Sequence, residues 1–168
     1  ALFAGRGFRR AAVAAVAVLV LAYPVLRGAD VVPTRTIVEQ ASMIDPDRGA
    51  SLAFRFRNED ALLARAEARP LFGWGIWGRS RVYDPETGAD VSVTDGRWII
   101  TIGAFGWAGY LAEFGLLTLG AALLASRRSA GAAALSLSLV LCANLLDLLP
   151  NSSFTPLTML LAGAALGA

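Results

Sequence analysis

The chain has 168 residues, 56% of them hydrophobic, and a mean hydropathy of +0.57, more than an ordinary soluble domain carries, which places it in the membrane class. Fifteen basic residues against 13 acidic ones leave a net charge of +2, every basic residue is Arg, and there is no His. His metal ligands and His general bases are thereby excluded from this stretch, and no metal, cofactor or nucleic-acid partner is expected.

The first residue is Ala, and no short apolar region ends in a small-residue cleavage site, so the start does not read as a signal peptide. The chain reads as the C-terminal part (residues 1–168) of one larger polytopic membrane domain. Arg6, Arg9 and Arg10 precede an apolar run from Ala11 to Leu26; counted from Phe8, the span over residues 8–26 is about 28 Å of helix and long enough to cross. Tyr23 is an interfacial anchor there and Pro24 a kink near the far end. The basic cluster puts the N-terminal side in the cytoplasm.

A polar interval, residues 27–97, follows and reads as one large periplasmic loop. Within it, residues 33–43 predict a short interfacial helix with Ile37, Val38 and Ala41 on one side. Asp45-Pro46-Asp47 is a turn or a helix start. Leu52, Phe56, Leu63 and Ala66 recur at helical spacing until Pro70, which predicts a helix over 51–69. Arg55 stands one turn before Glu59, a possible intrahelical pair. Residues 51–98 hold seven of the fifteen arginines. The codon bias of a GC-rich genome accounts for most of the Arg, and phosphate recognition for the rest, because a planar guanidinium forms bidentate bonds to phosphate oxygens and keeps its proton. Arg55, Arg57, Arg79 and Arg81 are the phosphate candidates; Arg65 and Arg69 read as a solvated face near a helix C-terminus.

Gly73-Trp74-Gly75-Ile76-Trp77-Gly78 spells G-x-G-x-x-G. A dinucleotide loop needs a strand before it and a helix after it; here a helix ends at Pro70 and the DPETG turn at 84–88 follows. A tight re-entrant turn with Trp74 and Trp77 at the interface fits better, and a stacking surface for a sugar ring is the alternative. Asp95 stands at the mouth of the next apolar helix, as a general base or, with Thr94, as its N-terminal cap. That helix, residues 98–125, is about 42 Å long, more than the hydrocarbon core, so it tilts or projects. Gly103, Gly106 and Gly109 recur every three residues and Gly115 and Gly120 follow, a small-residue stripe for close helix approach. Glu113, ionisable within an apolar helix, is a functional group or the partner of an arginine from another span. A basic loop containing Arg127 and Arg128 leads to helices at 130–149 and 154–168, with Cys142 a small packed hydrophobe. The fold class is therefore mostly α: a polytopic helical membrane protein with about four membrane helices, at about 8–26, 98–125, 130–149 and 154–168.

Two motifs carry a resemblance over residues 51–109. The first is Ser51-Leu52-x-x-Arg55, an amphipathic helix, then Arg69-Pro70-Leu71-Phe72-Gly73-Trp74-Gly75; the second is Asp95-Gly96-x-Trp98-Ile99 running into a helix with Gly106 and Gly109. In order and spacing they resemble the bacterial O-antigen ligase and polysaccharide polymerase membrane proteins. The resemblance implies a glycosyltransferase-C-like helical fold in the bacterial inner membrane. It implies transfer of a glycan from an undecaprenyl-pyrophosphate carrier to an acceptor hydroxyl, on a glycan or a lipid A-type acceptor, at the periplasmic face, without metal. Arg55 matches the loop arginine that holds the pyrophosphate. Where the ligases carry His-Asn this chain has Asp95-Gly96, and their later acidic position falls on Ala104; a polymerase-type member with Asp95 accepting the acceptor proton fits that departure. The competing expectation is a non-enzymatic transport or assembly subunit that binds anionic lipid through its arginine-rich loop.

Overall fold

A computed structural model describes residues 5–127 and 131–167. Among these residues the chain forms six helices and no strand beyond an isolated bridge between Tyr83 and Asp90. They are α1 (Arg6–Gly28), α2 (Thr34–Ile44), α3 (Pro46–Glu67), α4 (Arg97–Ser126), α5 (Ala132–Asp147) and α6 (Pro156–Gly167). The α1 helix and α4 are long and apolar enough to cross a membrane, while α5 and α6 are shorter apolar helices. Arg128, expected in the basic loop, lies outside the described residues.

The apolar helices run antiparallel around one core. At one end the Arg10 guanidinium donates to the Arg127 carbonyl at 2.9 Å. At the other, Tyr23 meets the wholly buried Trp98 edge to face at 5.1 Å, and the Arg97 amide donates to the Leu148 and Asn151 carbonyls beyond α5. Arg10 and Arg127 thus share the end opposite the arginine-rich interval. Between the ends, Tyr110 stacks on Phe114 at 4.6 Å and donates its hydroxyl to the Val20 carbonyl at 2.6 Å. Pro24 explains that last bond. It sits inside α1 and has no N–H for the carbonyl four residues earlier, which is that of Val20; Tyr110 supplies the missing donor.

The long apolar helix is broken. Gly106 has φ 64° and ψ −164° in the middle of α4, which frees the carbonyls before it and the amides after it. The segment after α3 fills the gap. Trp74 and Gly75 donate their amides to the Gly103 and Ala104 carbonyls at 2.9 and 2.8 Å, and Pro70 and Leu71 accept from the Trp107 and Ala108 amides at 2.8 and 3.1 Å. The G-x-G-x-x-G stretch is thus a re-entrant turn bonded to a split helix. The expected helix-packing stripe holds at Gly120 and is corrected at Gly103 and Gly106. A side chain at Gly106 would meet the Leu71 backbone at 2.5 Å, and one at Gly103 would meet Ser80 at 3.1 Å, so these glycines admit the loop rather than a helix; Gly120 is the one that faces α6, at the Ala162 carbonyl. The break also resolves the excess length. The portion after it, residues 107–126, is about 30 Å long, the thickness of a hydrocarbon core.

In a straight helix Arg97 and Glu113, 16 positions apart, would stand about 24 Å from each other along the axis. Here they make a bidentate pair at 2.6 and 2.9 Å, with Thr101 donating to the same carboxylate at 3.2 Å. Only a sharp bend at Gly106 allows that. The partner of Glu113 is therefore on its own helix, and not on another span.

The interval of residues 27–97 opens with two helices sharing one junction. Asp45 ends α2 and caps α3, its carboxylate accepting from the Asp47 amide at 3.0 Å, with Pro46 at the first helical position, where its missing N–H costs nothing. No α2 residue is buried. Arg27, expected as the first loop residue, belongs to the last turn of α1 and holds α3: it bonds Glu59 at 3.3 Å and Asp60 at 2.7 Å, with its own side chain 2% exposed and that of Glu59 9% exposed. Glu59 is thus taken by α1 and does not pair with Arg55. Burial pushes the Glu59 carboxyl above its usual range, and the Arg27 guanidinium opposes that shift.

Gly106→Ala and Gly73→Ala should each destabilise the protein beyond the ~1–3 kcal/mol of a strained backbone alone, since the new methyl meets backbone at 2.5 Å. Gly115→Ala, in open space on the same helix, should be neutral or slightly stabilising. Thermal unfolding in detergent separates the three. Tyr110→Phe should cost ~1–3 kcal/mol by orphaning the Val20 carbonyl, and less in a Pro24→Ala background, where the helix recovers its own donor; a double-mutant cycle on unfolding midpoints measures the coupling.

Candidate functional site

One face of α3 presents Arg55 and Asn58, three residues apart and therefore neighbours on the helix surface. Asn58 is buried and fixes the strand-like approach to α4: its Nδ2 donates to the Phe54 carbonyl at 2.9 Å, and its Oδ1 accepts from the Val93 amide at 2.9 Å. That docking sets Asp95 beside Arg55. The Arg55 Nε stands 3.4 Å from Asp95 Oδ2, with the side chains 44% and 32% exposed. They form an ion pair and no hydrogen bond, so each keeps bonding capacity toward a ligand. Asp95 does not cap α4. The N-cap is Gly96, with no side-chain bond to the helix start; there the Arg97 amide is already held by the Leu148 and Asn151 carbonyls.

The other three predicted arginines do not join this pair. Arg57 is exposed in a groove of about 240 Å³ between α2 and α3, lined also by Thr34, Arg35 and Asp60. Arg81 is bonded to Asp90 at 2.6 Å and lines a hollow of about 400 Å³ above the break in α4, with Trp77, Arg97 and Ala104. Arg79 turns to a separate hollow of about 400 Å³ that it shares with Arg65, Arg69, Trp74 and Tyr83. The structure joins one predicted arginine to the predicted carboxylate and spreads the rest over separate hollows.

Sequence reasoning passed over Asn58, Arg65 and Arg69. Asn58 carried a legible signal, since an Asn within an amphipathic helix offers two donors and an acceptor for cross-bonding. Arg65 and Arg69 lie over the Trp74 ring at 3.5 and 4.3 Å from its centroid, a contact between α3 and the turn after it that helical spacing does not reveal.

The loop from Arg81 to Ser92 is ordered by two aspartates. Asp84 accepts from the Thr87 amide and hydroxyl and from the Glu86 amide. Asp90 takes Arg81 and the Ser92 amide and hydroxyl, and Ser92 bonds the Val82 amide. The Thr87 and Glu86 bonds hold the Asp84 carboxyl below its usual range, and the Arg81 guanidinium, followed by the Ser92 bonds, does the same for Asp90. Among the described residues no three His, Cys, Asp or Glu side chains gather as a metal site.

No protein-family model, curated protein or solved structure matches this chain.

Because Asp84 and Asp90 are depressed in the folded state, their contribution to loop order is fully present above the ordinary carboxylate value of 3.8 and lost as pH falls through their lower folded values. Carbon-13 titration of the two carboxyls should place both midpoints below 3.8; Arg81→Ala should raise the Asp90 midpoint and leave that of Asp84 in place.

Proposed function

We propose that this chain is the catalytic portion of a bacterial inner-membrane glycosyltransferase of the O-antigen ligase or polysaccharide polymerase type. It moves a glycan from an undecaprenyl-pyrophosphate carrier to an acceptor hydroxyl at the periplasmic face. In this reading α1, α4, α5 and α6 make four crossings of a glycosyltransferase-C-like fold, and residues 27–97 form the periplasmic loop. The observation that carries it is the Arg55–Asp95 pair at the head of the broken helix. A guanidinium that cannot lose its proton stands beside a carboxylate that can accept one.

The chemistry divides between the two side chains. The acceptor oxygen attacks the anomeric carbon, the carbon–oxygen bond to the pyrophosphate breaks, and the bonding electrons leave on the pyrophosphate. Arg55 neutralises the charge that develops there, an electrostatic contribution that grows toward the transition state. Asp95 takes the proton released by the acceptor hydroxyl. Donor binding at Arg55 draws the guanidinium to the pyrophosphate and leaves the Asp95 carboxylate available as the base.

A second reading has one observation in its favour. The loop arginines are spread over separate hollows, as in a non-enzymatic transport or assembly subunit that holds anionic lipid with many shared contacts.

Arg55→Ala and Asp95→Asn separate the readings. The pair is partly exposed, so each variant should lose less than ~1 kcal/mol of stability. On the transferase reading both should abolish long-chain surface or secreted polysaccharide and accumulate lipid-linked repeat units at unchanged membrane abundance. Loss in Arg55→Ala alone would assign the base elsewhere; unchanged polysaccharide in both would leave the lipid-binding subunit.

A further inference from the structure

Five of the ten arginines between residues 27 and 97 pair with a carboxylate, and Arg35 and Arg57 share their groove with Asp60. Arg27 has Glu59 and Asp60, Arg48 has Asp45, Arg55 has Asp95, Arg81 has Asp90 and Arg97 has Glu113. Arg65, Arg69 and Arg79 have none among the described residues, yet they line the same hollow of about 400 Å³ with Trp74 and Tyr83. The nearby acids are engaged elsewhere. Glu67 lines the cavity on the α1 side with Gly28, Asp84 turns its Oδ1 to three donors of its own turn, and Asp90 holds Arg81.

Three like charges around one hollow repel one another. The negative end of the α3 dipole offsets roughly half a unit charge within its last turn, and more than two remain. The cluster is nevertheless held in place. Trp74 lies under two of the guanidinia and donates its indole N–H to the Arg65 carbonyl at 2.8 Å. Arg65 Nη2 donates to the Arg79 carbonyl at 3.1 Å, and Arg79 Nε donates to the Ile76 carbonyl at 3.3 Å. Arg65 Nε is buried with no acceptor. Cations positioned in advance of a counter-ion are what an anion site requires, and stacked guanidinia with free N–H groups suit phosphate oxygens.

The surroundings indicate where the phosphate comes from. The same loop exposes Leu71, Phe72, Ile76 and Trp77, the last 85% exposed with φ 66°. Apolar and aromatic side chains beside arginines are the composition of a segment seated at the headgroup layer. Arg65 lies ten residues along α3 from Arg55, roughly 15 Å, so this hollow is separate from the Arg55–Asp95 pair.

We infer that Arg65, Arg69, Arg79 and Trp74 form a second anion site that takes a phosphate group at the membrane face, independent of whether Arg55 and Asp95 perform glycan transfer. The test titrates the purified full-length protein in neutral detergent with a short-chain phosphatidic acid and, separately, with inorganic phosphate. Saturable binding of at least one probe is expected, and Arg69→Ala/Arg79→Ala should weaken it by about tenfold or more, equivalent to ~1.4 kcal/mol. Arg35→Ala/Arg48→Ala removes the same net charge from exposed positions and should change affinity less than about threefold. Binding of the lipid alone identifies a headgroup phosphate; comparable binding of inorganic phosphate identifies a phosphate of either source. Unfolding midpoints verify that the variants fold, and Arg79→Ala, whose side chain hydrogen-bonds only its own turn among the described residues, serves if the double variant does not. Absence of saturable binding to both probes, or equal weakening by the two double variants, would overturn the site.

Discussion

The structure depends on an exchange of four backbone hydrogen bonds between a broken helix and a re-entrant turn. A helix interrupted in an apolar setting exposes carbonyls on one side and amides on the other, and each unmet group costs several kcal/mol where water is scarce. Residues 70–75 present the complementary groups in the right order: two carbonyls, then two amides. Gly73 and Gly106 make the approach possible, since at both positions a methyl group would meet the opposing backbone at about 2.5 Å and both have a φ in the left-handed region. The remaining geometry follows. The bend brings Arg97 to Glu113, the turn carries Trp74 under Arg65 and Arg69, and the head of α4 stays free to hold Asp95 opposite α3.

Electrostatics then sort the arginines. A guanidinium removed from water is held where a carboxylate compensates it, and Arg27 shows the buried limit: it lies between Glu59 and Asp60 and ties the end of α1 to α3. Arg55 and Arg81 are half-exposed and paired once each, a balance a bound anion can displace. Arg65, Arg69 and Arg79 carry no such pairing. The buried and compensated Arg27 is thus a structural cation, whereas Arg65, Arg69 and Arg79 have no carboxylate to displace among the described residues.

How much was legible can be judged from individual residues. Periodicity placed α1 and α2 to within two residues and the end of α3 beside Pro70, because these signals are local; α3 starts at Pro46, five residues before the expected position, at the stretch read as a turn or a helix start. The motif Gly73 to Gly78 read as a re-entrant turn for a local reason too: glycines permit left-handed backbone wherever they stand. Pairings were harder. Arg55 has a carboxylate one turn away on its own helix, yet Glu59 faces α1 and Arg55 faces the loop. Glu113 required the bend at Gly106 before its partner on the same helix came into reach. The glycines of α4 looked like a surface for another helix, which Gly120 is, and only their neighbours identify Gly103 and Gly106 as a seat for the loop.

Composition and hydrophobic period by themselves determined that this is a helical chain with membrane-length apolar segments separated by an arginine-rich interval, because each of those properties is a sum over neighbours in the sequence. Tertiary structure alone decided that the longest helix is split, that Arg55 meets Asp95, and that Arg65, Arg69 and Arg79 face one hollow without a counter-charge. The reason is physical. An ion pair or an orphaned backbone group is satisfied by whatever lies within about 3 Å of it, and the partners here stand as far apart in sequence as 40 residues for Arg55 and Asp95 and 90 for Tyr110 and Val20.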